Sequence, residues 1–342
     1  MRRHDPPGMP HPRSLDRTIL GAVGRTPLLE LSRLAAAVGL PPDRRLFAKA
    51  ENLNPGGSCK DRLALALIDH AERNGLRPGG TIVEATSGNT GIALAMAAAV
   101  RGYRLSIVTS TKAAPEKLRV LRALGASVRI TPNVPHGSPD HYIEVARRLA
   151  AETPGAVFLD QFHSLANLRV HEECTGPELL HQVLEAADRL DAFVCGAGTG
   201  GTLMGVARYL RRASPGTRIV LADPDGSVLS GARTFRPYLV EGIGDDTQPP
   251  LFDPTLLTSS VTIPDRESFH YALLAARREG LVIGGSGGCH LAAAVRVARA
   301  LPSDSVVATI LPDSGWNYLS KFFDPKWCAA NGLEGLHAEV DG

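Results

Sequence analysis

Short apolar runs alternate with longer segments of helical periodicity over most of the chain. The apolar runs predict β-strands at 46–50, 81–85, 104–108, 127–131, 156–160, 192–196, 218–222 and 306–311. The intervening segments predict helices at 63–73, 115–124, 141–152, 203–212, 266–279 and 291–300, and in an Ala-rich stretch after residue 91. This alternation of strand and helix is typical of an α/β fold whose parallel sheets are covered by helices.

The length of 342 residues favours two such sheets over one. A loop region near 160–168 separates two series of strands and helices. We therefore expect an α/β protein of two domains, each built on a mostly parallel twisted sheet flanked by helices.

The balance of charges excludes two classes of partner. The net charge is +2, and basic residues are not concentrated in one patch as nucleic acids and membrane surfaces require. The longest apolar run, 91–100, is about half the length that crosses a bilayer. Residues 1–16 are rich in Arg, Pro and His and lack the apolar centre of a secretory signal, so we expect a poorly ordered tail there.

Cysteine and histidine usage predicts neither a disulfide framework nor a metal site. No two of the five cysteines form a C-x-x-C pair, which favours a reducing compartment and predicts a cytoplasmic protein. His136 and His141 have no metal-ligand partners at recognisable spacing, and we expect both on the surface.

Lysine is scarce in this chain. Only six of the 37 Lys and Arg residues are lysines, so chemistry that requires a lysine amine has six candidates. They are Lys49, Lys60, Lys112, Lys117, Lys321 and Lys326.

Four loops lie between a strand and a helix, where parallel α/β folds bind ligands. The first, NPGGSCKDR at 54–62, leads directly into a helix and places Lys60 in its first turn. The helix dipole disfavours a cation there, which suits an amine that must be neutral to form an imine. An exposed structural lysine after a flexible turn is the alternative.

The second loop, TSGNTG at 86–91, combines three hydroxyl side chains, an amide and a helix N-terminus. That set of groups suits a carboxylate. Ordinary capping of the helix by one Ser or Thr is the alternative, and it accounts for only one of the hydroxyls.

The third loop, GAGTGGT at 196–202, has the backbone N–H groups and helix dipole of a phosphate site. It also matches the dinucleotide fingerprint G-x-G-x-x-G, with Asp223 ending the next strand. An NAD-dependent dehydrogenase is therefore a competing hypothesis. It leaves the Lys60 and Asn89 loops without a role.

The fourth loop, GGSGG at 284–288, precedes an Ala-rich helix. Ser286 is either a helix cap or a ligand contact.

Together these loops resemble the cysteine synthase and cystathionine β-synthase family of pyridoxal-phosphate enzymes, the fold type II group that includes the tryptophan synthase β subunit. The resemblance runs in order from about residue 24 to 327 and includes GRTP at 24–27, LRALGA at 121–126 and DQF at 160–162. DPDGS at 223–227, VEGIG at 240–244 and LPDS at 311–314 resemble the cystathionine β-synthase branch most.

The resemblance implies a role for each loop. Lys60 would be the catalytic residue and would carry pyridoxal 5′-phosphate, Asn89 would contact the cofactor's phenolic oxygen, and Ser286 would face its pyridine nitrogen. The residues implied to hold the phosphate are Gly198, Thr199, Gly200, Gly201 and Thr202. Those implied to bind the amino-acid substrate are Thr86, Ser87, Gly88, Thr90, Gln161 and Gly242.

The resemblance also implies domain limits and an assembly. Residues 17–31 and 54–163 would form the smaller domain, with the Lys60 and Asn89 loops, and 32–53 and 164–335 the larger one, with the phosphate loop and Ser286. Small amino acids are the expected partners, and a homodimer is the expected assembly.

The family resemblance predicts β-replacement on L-serine or an O-activated serine by a thiol. Cystathionine formation from L-serine and homocysteine is the first hypothesis, with cysteine synthase and a specialised synthase of β-substituted alanines as alternatives. Phe162 and Thr247 depart from the residues usual in cystathionine β-synthases, as does Cys59, which replaces the usual valine before the lysine. If Phe162 and Thr247 border the second-substrate pocket, the nucleophile need not be homocysteine.

Overall fold

The computed structural model of the chain describes residues 17–86, 88–111, 113–135 and 137–341. The predicted tail at 1–16, the predicted substrate residue Ser87, and Lys112 and His136 lie outside the described residues.

The strands of the described residues form two separate sheets. In chain order they are β1 (Leu28–Glu30), β2 (Arg45–Lys49), β3 (Thr81–Ala85), β4 (Arg104–Ser110), β5 (Ser127–Thr131), β6 (Ala156–Phe158), β7 (Ala192–Cys195), β8 (Arg218–Pro224), β9 (Ser259–Ile263) and β10 (Val306–Ile310). The smaller sheet has the order β5-β4-β3-β6 and is parallel throughout. The larger has the order β1-β2-β10-β7-β8-β9, and within it only β1 is antiparallel to its neighbour.

Helices cover both sheets. They are α1 (Ser32–Ala37), α2 (Lys60–Arg73), α3 (Asn89–Arg101), α4 (Pro115–Ala123), α5 (Tyr142–Glu152), α6 (Leu165–Val170), α7 (Gly176–Ala186), α8 (Gly201–Ala213), α9 (Asp265–Glu279), α10 (Gly285–Ala300), α11 (Pro325–Ala330) and α12 (Leu336–Asp341). A π-helical turn, His171–Thr175, joins α6 to α7. The α/β class with parallel-rich sheets flanked by helices is confirmed.

The central strands are buried on both faces, which explains why they read as continuous apolar runs. All five residues of β3 and of β10 are buried. In β10, Val307 packs into the core on one side of the larger sheet, while Val306, Ala308 and Ile310 pack into the core on the other side. The polar loops that follow these strands therefore start from rigid, fully packed elements.

The structure corrects two of the predicted boundaries. The range 17–31 was assigned to the smaller domain, but Leu28–Glu30 pairs with Arg45–Lys49 and belongs to the larger sheet. A strand of three residues is too short to show alternation in the sequence. The prediction at 156–160 is also too long, because Asp160 has a φ of 50° and the strand ends at Phe158.

Candidate active site

Four helix N-termini meet at the cleft between the two sheets. Helix α2 begins at Lys60, α3 at Asn89, α8 at Gly201 and α10 at Gly285. Three of the four N-cap residues are glycines, and the fourth, Cys59, makes no side-chain hydrogen bond to the first turn. Their partial positive charges therefore act together on one space and favour an anionic ligand.

A cavity of about 390 Å³ occupies this cleft. The sequence-predicted residues that line it are Lys60, Thr86, Gly88, Asn89, Thr90, Gln161, Gly198, Thr199, Gly242 and Ser286. The other predicted residues within the described ranges, Gly200, Gly201 and Thr202, line an adjoining cleft of about 40 Å³ that shares Lys60, Gly198 and Thr199 with the cavity. The structure thus brings all of them together.

The loop before Lys60 is fixed by the segment that follows β10. The Cys59 N–H donates to the Pro312 carbonyl at 2.8 Å, and the Ser314 N–H donates to the Gly57 carbonyl at 2.9 Å. The Lys60 amine lies 3.9 Å from the Cys59 sulfur. Lys60 therefore projects into the cavity from an anchored loop.

The other lysines of the described residues have different surroundings. Lys49 is buried in an ion pair outside the cavity. Lys117 reaches the cavity, but it shares the carboxylate of Glu241 with Lys321. Within the described ranges, Lys60 is the cavity lysine that makes no ion pair.

Glycines open the backbone around the phosphate-type loop. A Cβ on Gly198 would lie 2.5 Å from the Gly242 carbonyl oxygen, and one on Gly201 would lie 1.9 Å from Oδ1 of Asn167. Gly200 has a φ of +86°, in the left-handed region. This loop therefore presents backbone N–H groups and a helix N-terminus rather than side chains, as a phosphate site requires.

Two buried histidines support the same loop, and the sequence reasoning missed both. Nε2 of His290 accepts from the Gly196 N–H at 2.7 Å, and burial lowers the pKa of His290 to about 4. Nε2 of His171 lies 3.2 Å from the Thr202 hydroxyl, and burial lowers the pKa of His171 well below its usual value. Both imidazoles are therefore neutral at pH 7.

The carboxylate-type loop is closed by contacts to the strand ends of the smaller sheet. The Thr90 hydroxyl donates to Oε1 of Gln161 at 2.7 Å, and Nε2 of Gln161 donates to the Ala85 carbonyl at 3.2 Å. The Gly88 N–H donates to the Thr86 hydroxyl at 3.1 Å. These groups hold a polar pocket at the N-terminus of α3, suited to a carboxylate.

Ser286 is not a helix cap. It lies in the first turn of α10 and is 4% exposed, while Gly284 occupies the N-cap position. A Cβ on Gly288 would lie 1.9 Å from the Ser268 carbonyl oxygen, so that glycine permits the close contact between α10 and α9. The close packing of α10 on α9 accounts for a glycine at position 288, and Ser286 lines the cavity.

A second charged group in the cavity was not predicted. The Lys117 amine lies 3.4 Å from Oε2 of Glu241, and the Lys321 amine contacts Oε1. Burial by itself raises the pKa of Glu241, but the two ammonium groups outweigh it and lower the pKa, so Glu241 is a carboxylate at pH 7. These residues connect α4, which packs against the smaller sheet, to the loop at 240–244.

An outer cavity of about 520 Å³ adjoins the first. Phe162 and Thr247, two of the family departures, both line it. Its lining includes the aromatic residues Tyr142, Phe235 and Tyr238 and the acidic residues Asp160, Asp245 and Asp246, and Ile143, His163, Gln248, Pro249 and Pro250 also line it. Burial and the neighbouring Asp246 raise the pKa of Asp245 to about 6.

The dinucleotide hypothesis fails at Asp223. That side chain is fully buried and accepts from the Ser230 N–H at 2.8 Å. The fingerprint instead requires an acidic side chain that can reach a bound ribose.

His141 is buried, which corrects the prediction that it lies on the surface, and its ring packs against Tyr142.

No helix in the described ranges combines the length and apolar character needed to cross a membrane. A larger cavity of about 810 Å³, beside α2 and α6, contains none of the predicted site residues.

Comparison with known proteins identifies the family. The family model for pyridoxal-phosphate-dependent enzymes matches residues 19–313, and the chain belongs to this family. Cystathionine β-synthase of Mus musculus is 43% identical over 322 residues, 92% of this chain and 56% of the mouse protein. The chain thus covers little more than half of that relative. Cysteine synthase 1 of Emericella nidulans is 41% identical, over 91% of this chain and 86% of that protein.

Solved structures agree with this assignment. The O-acetylserine-dependent cystathionine β-synthase of Helicobacter pylori is 37% identical with a TM-score of 0.82, over 90% of this chain and 98% of that one. O-ureido-L-serine synthase is 36% identical with a TM-score of 0.84, over 92% of this chain and 100% of that one. The protein is therefore a pyridoxal-phosphate-dependent enzyme of fold type II.

Proposed function

We propose that this chain catalyses β-replacement on L-serine or an O-activated serine, with a thiol as the nucleophile. The observation that supports the proposal is the meeting of Lys60, the 198–202 phosphate-type loop and the Thr86–Gln161 pocket in one cavity. An amine that moves protons, a phosphate site and a carboxylate site are the three parts this reaction needs.

The described residues fit pyridoxal phosphate. The loop at 198–202 would hold its phosphate, Ser286 its pyridine nitrogen and Asn89 its phenolic oxygen, and Lys60 would bind it covalently. When bound, the cofactor supplies an electron sink for the substrate's Cα. A serine hydroxyl beside the pyridine nitrogen does not force that nitrogen to be protonated, which keeps the sink weak and favours β-elimination over a long-lived carbanion.

The protein's own residues would then direct the substrate. Thr86, Gly88, Thr90 and Gln161 bind the α-carboxylate and orient Cα toward Lys60. The Lys60 amine takes the Cα proton as the leaving group departs from Cβ. The thiol gives up its proton as its sulfur adds to Cβ, and Lys60 returns a proton to Cα. The thiol's proton leaves with the departing group, as water when the donor is L-serine.

Cystathionine formation from L-serine and homocysteine is the specific reaction we propose. The 43% identity to a cystathionine β-synthase supports it. A second candidate is a specialised synthase of β-substituted alanines, because the described residues that line the outer cavity include the carboxyl groups of Asp160, Asp245 and Asp246 and no Lys or Arg. Such a cavity favours a neutral or cationic nucleophile over one that brings a carboxylate.

A matrix of substrates tests both candidates. Purified protein is incubated with L-serine or O-acetylserine as donor and with homocysteine, sulfide or cysteamine as nucleophile, and the products are identified by mass spectrometry. We expect cystathionine from L-serine and homocysteine. Cysteine from O-acetylserine and sulfide without cystathionine would move the assignment to cysteine synthase, and a higher kcat/KM with cysteamine would support the specialised synthase. No β-substituted product from any pair would refute β-replacement.

We further propose that the protein acts as a homodimer in the cytoplasm, by analogy with the family it belongs to. Light scattering on the purified protein should give twice the 36.2 kDa mass of the chain. A mass equal to one chain at micromolar concentration would contradict this expectation.

A further inference from the structure

The short segment after β10 touches three of the four site loops. Its backbone holds the Lys60 loop through Pro312 and Ser314, and the Asp313 carbonyl accepts from the Gly284 N–H at 3.1 Å, next to Ser286. The third contact is made by the side chain of Asp313 and reaches across the cleft to Asn89, at the start of α3.

The Asp313 side chain is held firmly. It is 2% exposed, and its Oδ2 accepts from Nδ2 of Asn89 at 2.7 Å and from the Tyr318 hydroxyl at 2.6 Å. A Cβ on Gly284 would lie 2.1 Å from Oδ1, so Gly284 leaves the room that this carboxylate occupies. A well-packed carboxyl group with two donors on one oxygen is a fixed acceptor for Asn89.

A fixed acceptor determines which way an amide points. An asparagine amide has a donor end and an acceptor end of nearly equal size, and only the NH₂ end can bond to an oxygen that accepts. Because Asp313 takes one of the two amide hydrogens, the second hydrogen lies on the same nitrogen, at the edge of the cavity. The phenolic oxygen of pyridoxal phosphate needs a donor there.

We infer that Asp313 is a positioning residue that orients the Asn89 amide so that its NH₂ group faces the cofactor's phenolic oxygen. Without Asp313 the amide can turn its oxygen toward the phenolic oxygen, and two acceptors would then face each other. The inference rests on the proposed role of Asn89 and is independent of the choice of nucleophile.

The test uses the cofactor-loaded protein without substrate. The variants are Asp313→Leu, which removes both acceptor oxygens, Asn89→Ala, the double variant, and Asp223→Leu as the matched control, the same change at a buried carboxyl group outside the cavity. The readouts are the visible absorption maximum of the lysine-bound cofactor and the affinity for pyridoxal phosphate, with thermal unfolding to check that each variant is folded.

We expect Asp313→Leu to shift the absorption maximum in the same direction as Asn89→Ala and to weaken cofactor binding about 10-fold, the effect of one lost hydrogen bond. The double variant should match Asn89→Ala alone, because Asp313 acts through Asn89. Asp223→Leu should keep the wild-type maximum.

Three results would overturn the inference. The first is a wild-type spectrum and affinity in Asp313→Leu while Asn89→Ala changes both. The second is additive effects in the double variant, or an equal shift in Asp223→Leu. The third is a wild-type spectrum in Asn89→Ala. That result would contradict the proposed role of Asn89 itself, while the β-replacement proposal would still be tested separately by the product assay.

Discussion

Replacing Lys60 with alanine is expected to lower turnover about 1,000-fold or more, because the same amine would bind the cofactor and move the proton at Cα. The variant should also lose the visible absorption band of lysine-bound pyridoxal phosphate. The fold should survive, since Lys60 is only partly buried and makes no ion pair within the described residues. The measurements are steady-state product formation, the visible spectrum and thermal unfolding.

Lys326→Ala is the matched control. Lys326 is exposed on α11, outside both cavities, so its loss should leave turnover and spectrum unchanged. Partial recovery of Lys60→Ala by an added small amine would show that the missing group is the amine itself. Retention of the absorption band or of turnover within 10-fold of wild type in Lys60→Ala would place the chemistry on another residue, and Lys117 would be the next to test because it also lines the cavity.

The sequence predicted the central strands best, for a physical reason. The bounds of β3 match the predicted 81–85, and β10 ends one residue before the end of the predicted 306–311. A strand covered on both faces, such as β3, must be apolar throughout, so its ends are marked by the return of polar residues. The edge strands β1 and β9 were missed. β9 begins with two serines, and four of its five residues are at least partly exposed, so burial leaves little trace in its sequence.

The predicted part of the site depends on local pattern, and the missed part depends on distant contacts. The loops at 54–62, 86–91, 196–202 and 284–288 are visible because glycines and small hydroxyl residues stand between a strand and a helix. Asp313 meets Asn89 across 224 positions, and Lys117 meets Glu241 across 124. A single sequence holds no local signal for such pairs, although the LPDS resemblance at 311–314 marked the segment that carries Asp313.

The second large effect is expected at Arg62, two positions after Lys60. Its Nε and Nη2 donate to Glu51 at 2.7 and 2.8 Å, and its Nη1 and Nη2 donate to Glu178 at 2.8 and 2.7 Å. Arg62 is 4% exposed and Glu51 is fully buried. These ion pairs join α2, which packs against the smaller sheet, to α7, which packs against the larger one. Lys49 adds a second cation 3.0 Å from Glu178.

Arg62→Met should lower the free energy of unfolding by about 3–5 kcal/mol, because it leaves the buried Glu51 carboxylate without its cation. The matched control is Arg101→Met. Arg101 pairs with Asp69 and Glu72 at the surface, and such pairs contribute about 1 kcal/mol or less. Urea unfolding followed by circular dichroism measures both. Equal losses of unfolding free energy in the two variants would show that the buried ion pairs of Arg62 stabilise the fold no more than a surface pair does.

The same network predicts how stability changes with acid. Burial by itself raises the pKa of Glu178, but the hydrogen bonds and charge of Arg62, with Lys49, outweigh it and lower the pKa to about 2. A carboxyl group whose pKa is lower in the folded than in the unfolded chain stabilises the fold above its unfolded pKa, and this contribution is lost as the pH falls through the folded value. The wild type should therefore lose stability between about pH 4.5 and 2 as Glu178 is protonated. Arg62→Met removes the main partner that lowers the pKa of Glu178. The gap in unfolding free energy between wild type and Arg62→Met should therefore narrow as the pH falls over that range. A gap that stays constant from pH 7 to pH 2.5 would mean that the arginine stabilises the fold by packing rather than by charge.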